Sequence, residues 1–222
     1  MEADLPARDQ VVDQLYAAVL SDVLDSLGRA NQAMQPFIRP LDESRVLFGR
    51  ARTGIYRHVY HVPQRGNPYE VEMALVDDLR PDDVAVLACG GRTDRIAPWG
   101  ELLTTAASCR GAAGCVTDGL VRDVRRIREM QFPVFAGGIG PLDTKGRAEM
   151  VAMDVPVMCG GVRIEPGDYV FGDVDGVVVL PQALAGAAIH AALEKVASED
   201  ASRDALRAGK SLRDVYATFG VL

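Results

Sequence analysis

The stretch from Gly100 to Asp123 constrains the fold more than any other. After Gly100, the residues Leu102, Leu103, Ala106, Ala107 and Arg110 recur at helical spacing, which predicts a helix small enough on one side to lie close against a sheet. A short strand is expected over Cys115 to Asp118, and a Gly turn then delivers Arg122 and Asp123 to the start of a second helix. Two helix N-termini are thereby brought to strand ends, where open α/β sheets hold their ligands. Backbone N–H groups at a helix start favour an anion, and the planar Arg fork can grip a carboxylate with two parallel bonds. Asp is a hard oxygen ligand suited to Mg²⁺ or Mn²⁺. One small pocket for a carboxylate and a divalent ion follows, with Glu101 beside it. The plain alternative for Arg122 and Asp123 is an ion pair at a helix start, which is favourable in any protein.

The flanking sequence supplies a sheet and its covering helices. Apolar positions predict a helix over residues 9–27, ended at Gly28, with Ser21 and Asp22 able to cap a second helical piece. Strand character runs from Arg45 to Tyr56, and a helix is expected over residues 67–79 with Val71, Ala74, Leu75 and Leu79 inward. Val84 to Cys89 is nearly continuously apolar, as a buried central strand requires. The following Gly90-Gly91-Arg92-Thr93-Asp94 loop is neither a P-loop nor a dinucleotide fingerprint. A helix beginning at Arg122 is followed by a strand over Pro133 to Ala136 and a flexible loop over Gly137 to Pro141. Short β segments punctuated by Gly-Gly and Pro-Gly turns fill residues 148–180. An Ala-rich helix from Ala183 to Ala208 and a short terminal helix over Leu212 to Phe219 close the chain. Parallel β–α units followed by β-rich turns imply an α/β or α+β sandwich rather than a plain Rossmann fold.

Composition narrows the partners. The chain of 222 residues is 48% hydrophobic and 25% charged, an ordinary globular balance. Its net charge of −7 argues against a nucleic-acid surface and against an anionic membrane, although one Arg and one metal ion can reverse the field locally. Cys89, Cys109, Cys115 and Cys159 make no CxxC clip and are expected as buried reduced thiols. Neither a leader pattern nor a long apolar run opens the chain, and a cytoplasmic protein is expected. His58 and His61, with no third ligand nearby, read as a surface turn or as part of the substrate mouth.

Glu101 followed at this spacing by Arg122-Asp123 resembles the RraA-like family. That family includes divalent-metal 4-hydroxy-4-methyl-2-oxoglutarate aldolases, or class II pyruvate aldolases, and an RNase E regulator. The likeness extends through Ser21-Asp22-Val23-Leu24-Asp25, Trp99-Gly100-Glu101-Leu102, Pro133-Val134-Phe135, Gly160-Gly161-Val162, Pro166-Gly167-Asp168 and the run from Asp173 to Pro181. It implies a swivelling β/β/α sandwich with N- and C-terminal helices, forming a single domain over residues 1–222. Residues 183–222 would then be a C-terminal helical extension at a subunit interface of a homotrimer or homohexamer. One departure is visible: the characterised aldolases usually have Asp where this chain has Glu101.

By this resemblance the chain would be a lyase that cleaves a 4-hydroxy-2-oxo acid to pyruvate, with oxaloacetate decarboxylation as a companion activity. Asp123 would be the direct ligand of Mg²⁺ or Mn²⁺, with Glu101 and Glu199 of a neighbouring subunit reaching the ion through water. Arg122 would bind the keto or enolate oxygen, while Gly100, Leu102 and Leu103 would present the helix-start N–H groups to the substrate carboxylate. The alternative implied by the same family is a non-catalytic regulator that occupies a partner's surface.

Overall fold

The computed structural model describes residues 5–62 and 66–220. Helices α1 (Arg8–Gln14) and α2 (Ala17–Ser26) precede strands β1 (Arg39–Pro40) and β2 (Leu47–His58). Then follow α3 (Glu70–Asp77), β3 (Asp83–Ala88), α4 (Glu101–Cys109), β4 (Gly114–Val121), α5 (Val124–Glu129) and β5 (Val134–Ile139). Strands β6 (Ala148–Met153), β7 (Val157–Cys159), β8 (Val162–Ile164), β9 (Tyr169–Gly172) and β10 (Val177–Leu180) lead to α6 (Ala185–Arg207) and α7 (Leu212–Phe219).

Among the described residues, one sheet runs in the order β1-β5-β4-β3-β2-β9-β10, with β6 also on β2. Its centre, β2-β3-β4-β5, is parallel, and the β1-β5, β2-β6, β2-β9 and β9-β10 pairs are antiparallel. The segment between Ala33 and Pro40 links the two ends of this path, because Ala33 bridges Val178 of β10 while Arg39 and Pro40 pair with β5. The sheet is therefore curled almost into a barrel. Alternation along the strands sorts the core accordingly. Val84, Val86 and Ala88 pack with Val116, Phe135, Val170, Val177 and the β7-β8 hairpin residues Val157, Cys159, Val162 and Ile164, which fill the interior. Their neighbours Ala85, Leu87 and Cys89 face outward into a cluster with α3, α4 and α5. Phe48, Tyr169, Phe171, Val178 and Leu180 face a third cluster under α1, α2 and α6.

The expected α/β class holds, and several local expectations change. The first helix breaks at Leu15 and Tyr16, so Ser21 and Asp22 lie inside α2 rather than at a cap. Gly137 and Gly138 are strand residues of β5 rather than a loop, because a Cβ at Gly137 would stand 2.6 Å from the Asp118 carbonyl of the adjacent strand. On α3 the buried residues are Glu72, Leu75 and Val76, while Ala74 is exposed. Cys109 is exposed, whereas Cys89, Cys115 and Cys159 are buried as expected. No helix among the described residues is long and apolar enough to cross a membrane.

Candidate functional site

The site is made by a parallel register. β4 does not stop at Asp118 but continues to Val121, and its last residues run alongside the segment that leads into α4. Leu120 N–H donates to the Ile96 carbonyl, Trp99 bridges Val121 in parallel, and Arg122 N–H donates to the Trp99 carbonyl at 3.0 Å. Trp99 is fully buried and stacked on Phe132, which fixes this pairing from below. Both chains turn into helices one or two residues later, so the start of α4 and the start of α5 lie side by side.

Asp123 forms the second of these corners. It adopts the left-handed conformation, φ 59° and ψ 29°, which Asp tolerates better than most residues. Its carboxylate does not cap its own helix; Oδ2 instead accepts from the N–H of Glu101 at 3.2 Å. Among the described residues nothing bonds Oδ1. Arg122 Nε lies 3.8 Å from Asp123 Oδ2, beyond hydrogen-bond distance, and both side chains are partly exposed. The pair is thus adjacent without being locked together.

Arg122 and Asp123 line a cleft of about 380 Å³ with Gly100, Leu102 and Leu103. Gly100 is required by proximity, since a Cβ there would stand 2.8 Å from Asp123 Oδ2 and 3.1 Å from Arg122 Nε. The N–H groups of the first turn of α4 lack acceptors within the helix, as at any helix start. The structure also brings in residues that the sequence did not single out: Tyr69, Glu72, Asp143 and Thr144. Arg122 Nη1 is 3.5 Å from Asp143 Oδ1, and Tyr69 donates its hydroxyl to Asp143 Oδ2 at 2.6 Å. Partial burial pushes the Asp143 carboxyl up, but the Tyr69 hydroxyl, Arg122 and the Thr144 N–H outweigh it and hold the group below the usual range. Tyr69, half-buried and tied to that carboxylate, is pushed up to about 12. Glu72 carries a sequence signal that could have found it: an acid three and four residues before Leu75 and Val76, on the buried stripe of α3.

Two expected members of the site lie elsewhere in the single chain. The Glu101 side chain lies on the far side of Asp123, in a shallower groove with Val124, Arg125 and Arg126, where its Oε1 accepts from the Thr105 hydroxyl at 3.1 Å. Glu199 lies on α6, accepts a hydrogen bond from the Tyr16 hydroxyl, and lines a separate cleft with Asp22, Arg203 and Leu212. Burial and this carboxylate push Tyr16 up to about 12. Arg92 lies over the Phe37 ring and is not among the residues lining the cleft.

No group of three or more His, Cys, Asp or Glu among the described residues is arranged as a Zn²⁺ or Ca²⁺ cage. The donor chemistry does fit a hard ion that keeps most of its water. Asp123 offers a free carboxylate oxygen at the cleft, as Mg²⁺ sites with one or two protein carboxylates do. Charge points the same way: Asp123 and Asp143 flank the one guanidinium of Arg122, and an anionic substrate needs added positive charge there.

The family model described as RraA-like, Aldolase/RraA, matches residues 17–179. The chain belongs to the RraA-like family. A relative from Halalkalibacterium halodurans, named "Putative 4-hydroxy-4-methyl-2-oxoglutarate aldolase", is 32% identical over 187 residues, covering 84% of this chain and 82% of the relative. A solved structure described as an uncharacterized protein from Pseudomonas syringae superposes with a TM-score of 0.79 at 30% identity, covering 95% of this chain and 98% of the other. Streptomyces coelicolor RraAS2, described as an unusual member of the RNase ES inhibitor RraA protein family, gives a TM-score of 0.77 at 28% identity over 90% of this chain and 98% of its own.

Proposed function

We propose that this RraA-like chain is a divalent-metal-dependent carbon–carbon lyase. It cleaves a 4-hydroxy-2-oxo acid, such as 4-hydroxy-4-methyl-2-oxoglutarate, to pyruvate and a second carbonyl product, and decarboxylates oxaloacetate as a side activity. The observation that carries this reading is the placement of Arg122 and a half-free Asp123 carboxylate beside the first turn of α4 in one cleft. The aldolase name of the Halalkalibacterium relative supports it.

The first-turn N–H groups of Leu102 and Leu103 receive the substrate carboxylate, and Gly100 leaves room for it. Arg122 donates to the keto oxygen, where negative charge grows as the C3–C4 bond breaks, so its bond strengthens toward the transition state. Mg²⁺ or Mn²⁺ held by Asp123 supplies Lewis-acid stabilisation of that same charge. Asp143 and Tyr69 hold the guanidinium at the cleft wall before substrate arrives. Glu101 of this chain and Glu199 of a neighbouring copy would hold waters of the ion, with α6 then at the subunit contact of a homotrimer or homohexamer. Oxaloacetate decarboxylation yields the same enolate and uses the same groups. The four cysteines, free of disulfides among the described residues, suit the reducing cytoplasm.

Pyruvate release from 4-hydroxy-2-oxo acids and from oxaloacetate, with Mg²⁺ and with a chelator, tests the reading. Metal-dependent release supports it; no release across a broad panel refutes it. The likeness to RraAS2 favours a second reading, a non-catalytic regulator that binds an RNase. That reading predicts no pyruvate under any condition and inhibition of RNase E in a cleavage assay.

A further inference from the structure

Glu72 is a buried acid that the mechanism above does not use. It is 8% exposed on the buried stripe of α3, the helix that packs against β6 and α4. Burying a carboxyl in such surroundings is costly unless it is paired, and no cation bonds it among the described residues. Among the described residues its carboxylate takes one hydrogen bond, from β2, where the buried Tyr56 hydroxyl donates to Oε2 at 2.6 Å. The other oxygen, Oε1, has no partner among the described residues and is not sealed from solvent. Glu72 lines the same cleft as Arg122 and Asp123, where the substrate would sit.

We propose that Glu72 is the proton-transfer residue of this cleft, taking the proton of the substrate's C4 hydroxyl and returning it to C3 of the enolate. The inference rests on the lyase reading. As the C3–C4 bond breaks, its electron pair passes into the C2 carbonyl to form the enolate. The C4 hydroxyl loses its proton to Glu72 and becomes the carbonyl of the departing product. The protonated carboxyl then gives that proton to C3, which completes pyruvate and restores the carboxylate. No oxidant, reductant or second reactant is needed.

The electrostatics suit the role. Burial, against the opposing Tyr56 hydrogen bond and Arg122 and with a smaller push from Asp143, leaves the Glu72 carboxyl raised to about 7. A base that titrates near the working pH is the most effective proton carrier.

The experiment compares both activities, with Mg²⁺, in the wild type, Glu72→Gln and Tyr56→Phe. Oxaloacetate has no C4 hydroxyl proton to remove, and its enolate can be protonated by solvent, so its decarboxylation bypasses Glu72. Glu72→Gln keeps the side-chain shape and an acceptor for Tyr56. It is expected to lower kcat for aldol cleavage by ~10²-fold or more while decarboxylation stays near the wild-type rate. Tyr56→Phe removes a bond that lowers the carboxyl's pKa, so the rising limb of kcat/KM against pH moves upward from about 7. Glu72→Gln that retains both activities, or loses both in parallel, overturns the assignment while leaving the lyase reading in place. A wild type that releases no pyruvate from either substrate overturns both.

Discussion

The backbone N–H of Glu101 donates to Asp123 Oδ2 at 3.2 Å, tying the first turn of α4 to the residue that begins α5. Asp123→Asn keeps an acceptor for that N–H, whereas Asp123→Ala removes it. Both are expected to reduce Mg²⁺-dependent pyruvate release by at least ~10²-fold, the scale of losing one preorganised charge-stabilising group. Asp123→Ala should also lose about 1 kcal/mol of stability, which Asp123→Asn keeps. Steady-state kinetics beside thermal melts separate the two effects.

Gly100→Ala tests the close approach at the cleft. Gly100 has an extended backbone, φ −154°, that any residue can adopt, so the substitution brings no backbone strain. Its Cβ would press on Asp123 Oδ2 at 2.8 Å and on Arg122 Cγ at 3.1 Å. Activity is expected to fall by about 10²-fold, as for small misplacements of reacting groups, with the melting temperature little changed. Unaltered kcat/KM in a folded Gly100→Ala protein counts against Arg122 and Asp123 as the reacting groups.

Asp143 is expected to act by holding Arg122. Asp143→Asn weakens that ion pair, and Tyr69→Phe removes the hydroxyl that steadies the carboxylate at 2.6 Å. The contact is partly exposed, so the loss of stability should stay below about 1 kcal/mol. The kinetic effect should appear chiefly in kcat, about 10-fold, with the double variant no worse than Asp143→Asn alone, because the two act through one group. Additive losses in that cycle would show that Tyr69 acts independently.

Glu72 makes a stability prediction that needs no substrate. Its carboxyl is raised in the folded chain from 4.5 to about 7, so the native state holds more protons than the unfolded state between those values. Its contribution to stability is therefore full below about 4.5 and declines as pH rises through 7. Glu72→Gln removes the penalty, and its advantage over wild type should grow by up to about 3 kcal/mol between pH 5 and pH 8. Denaturant titrations at the two pH values measure this; a constant difference would contradict a buried, elevated carboxyl.

Thiol labelling probes the core. Burial pushes the thiols of Cys89, Cys115 and Cys159 up and shields them, while Cys109 at the end of α4 is exposed. A thiol reagent should modify one cysteine in the native protein and none in Cys109→Ser.

Much of this was legible in the sequence because it follows from local periodicity and from a motif. The terminal helix over Leu212 to Phe219 and the strand Val162–Ile164 are bounded by Gly and Pro signals and stand where expected. Arg122, Asp123 and Gly100 were found from their spacing, and they share one cleft. What was not legible depends on contacts distant in sequence. Asp143 reaches Arg122 only because β5 lies beside β4, and Tyr69 joins them from across the sheet surface. The rotation of α3, which buries Glu72 and exposes Ala74, is set by packing against β6 and β2 rather than by the helix's own pattern. The break between α1 and α2 at Leu15 and Tyr16 has no Gly or Pro to announce it. Glu101 turns to the Thr105 hydroxyl and Glu199 to a separate cleft with Asp22 and Arg203, contacts that spacing along the chain does not reveal.

The rung between Trp99 and Val121 sets how far apart the reacting groups stand. Main-chain bonds, together with the Asp123 carboxylate and without the side chains at 101 and 122, fix the gap between the two corners. Substitutions at 101 and 122 therefore leave that spacing in place, which makes this frame a durable host for altered chemistry.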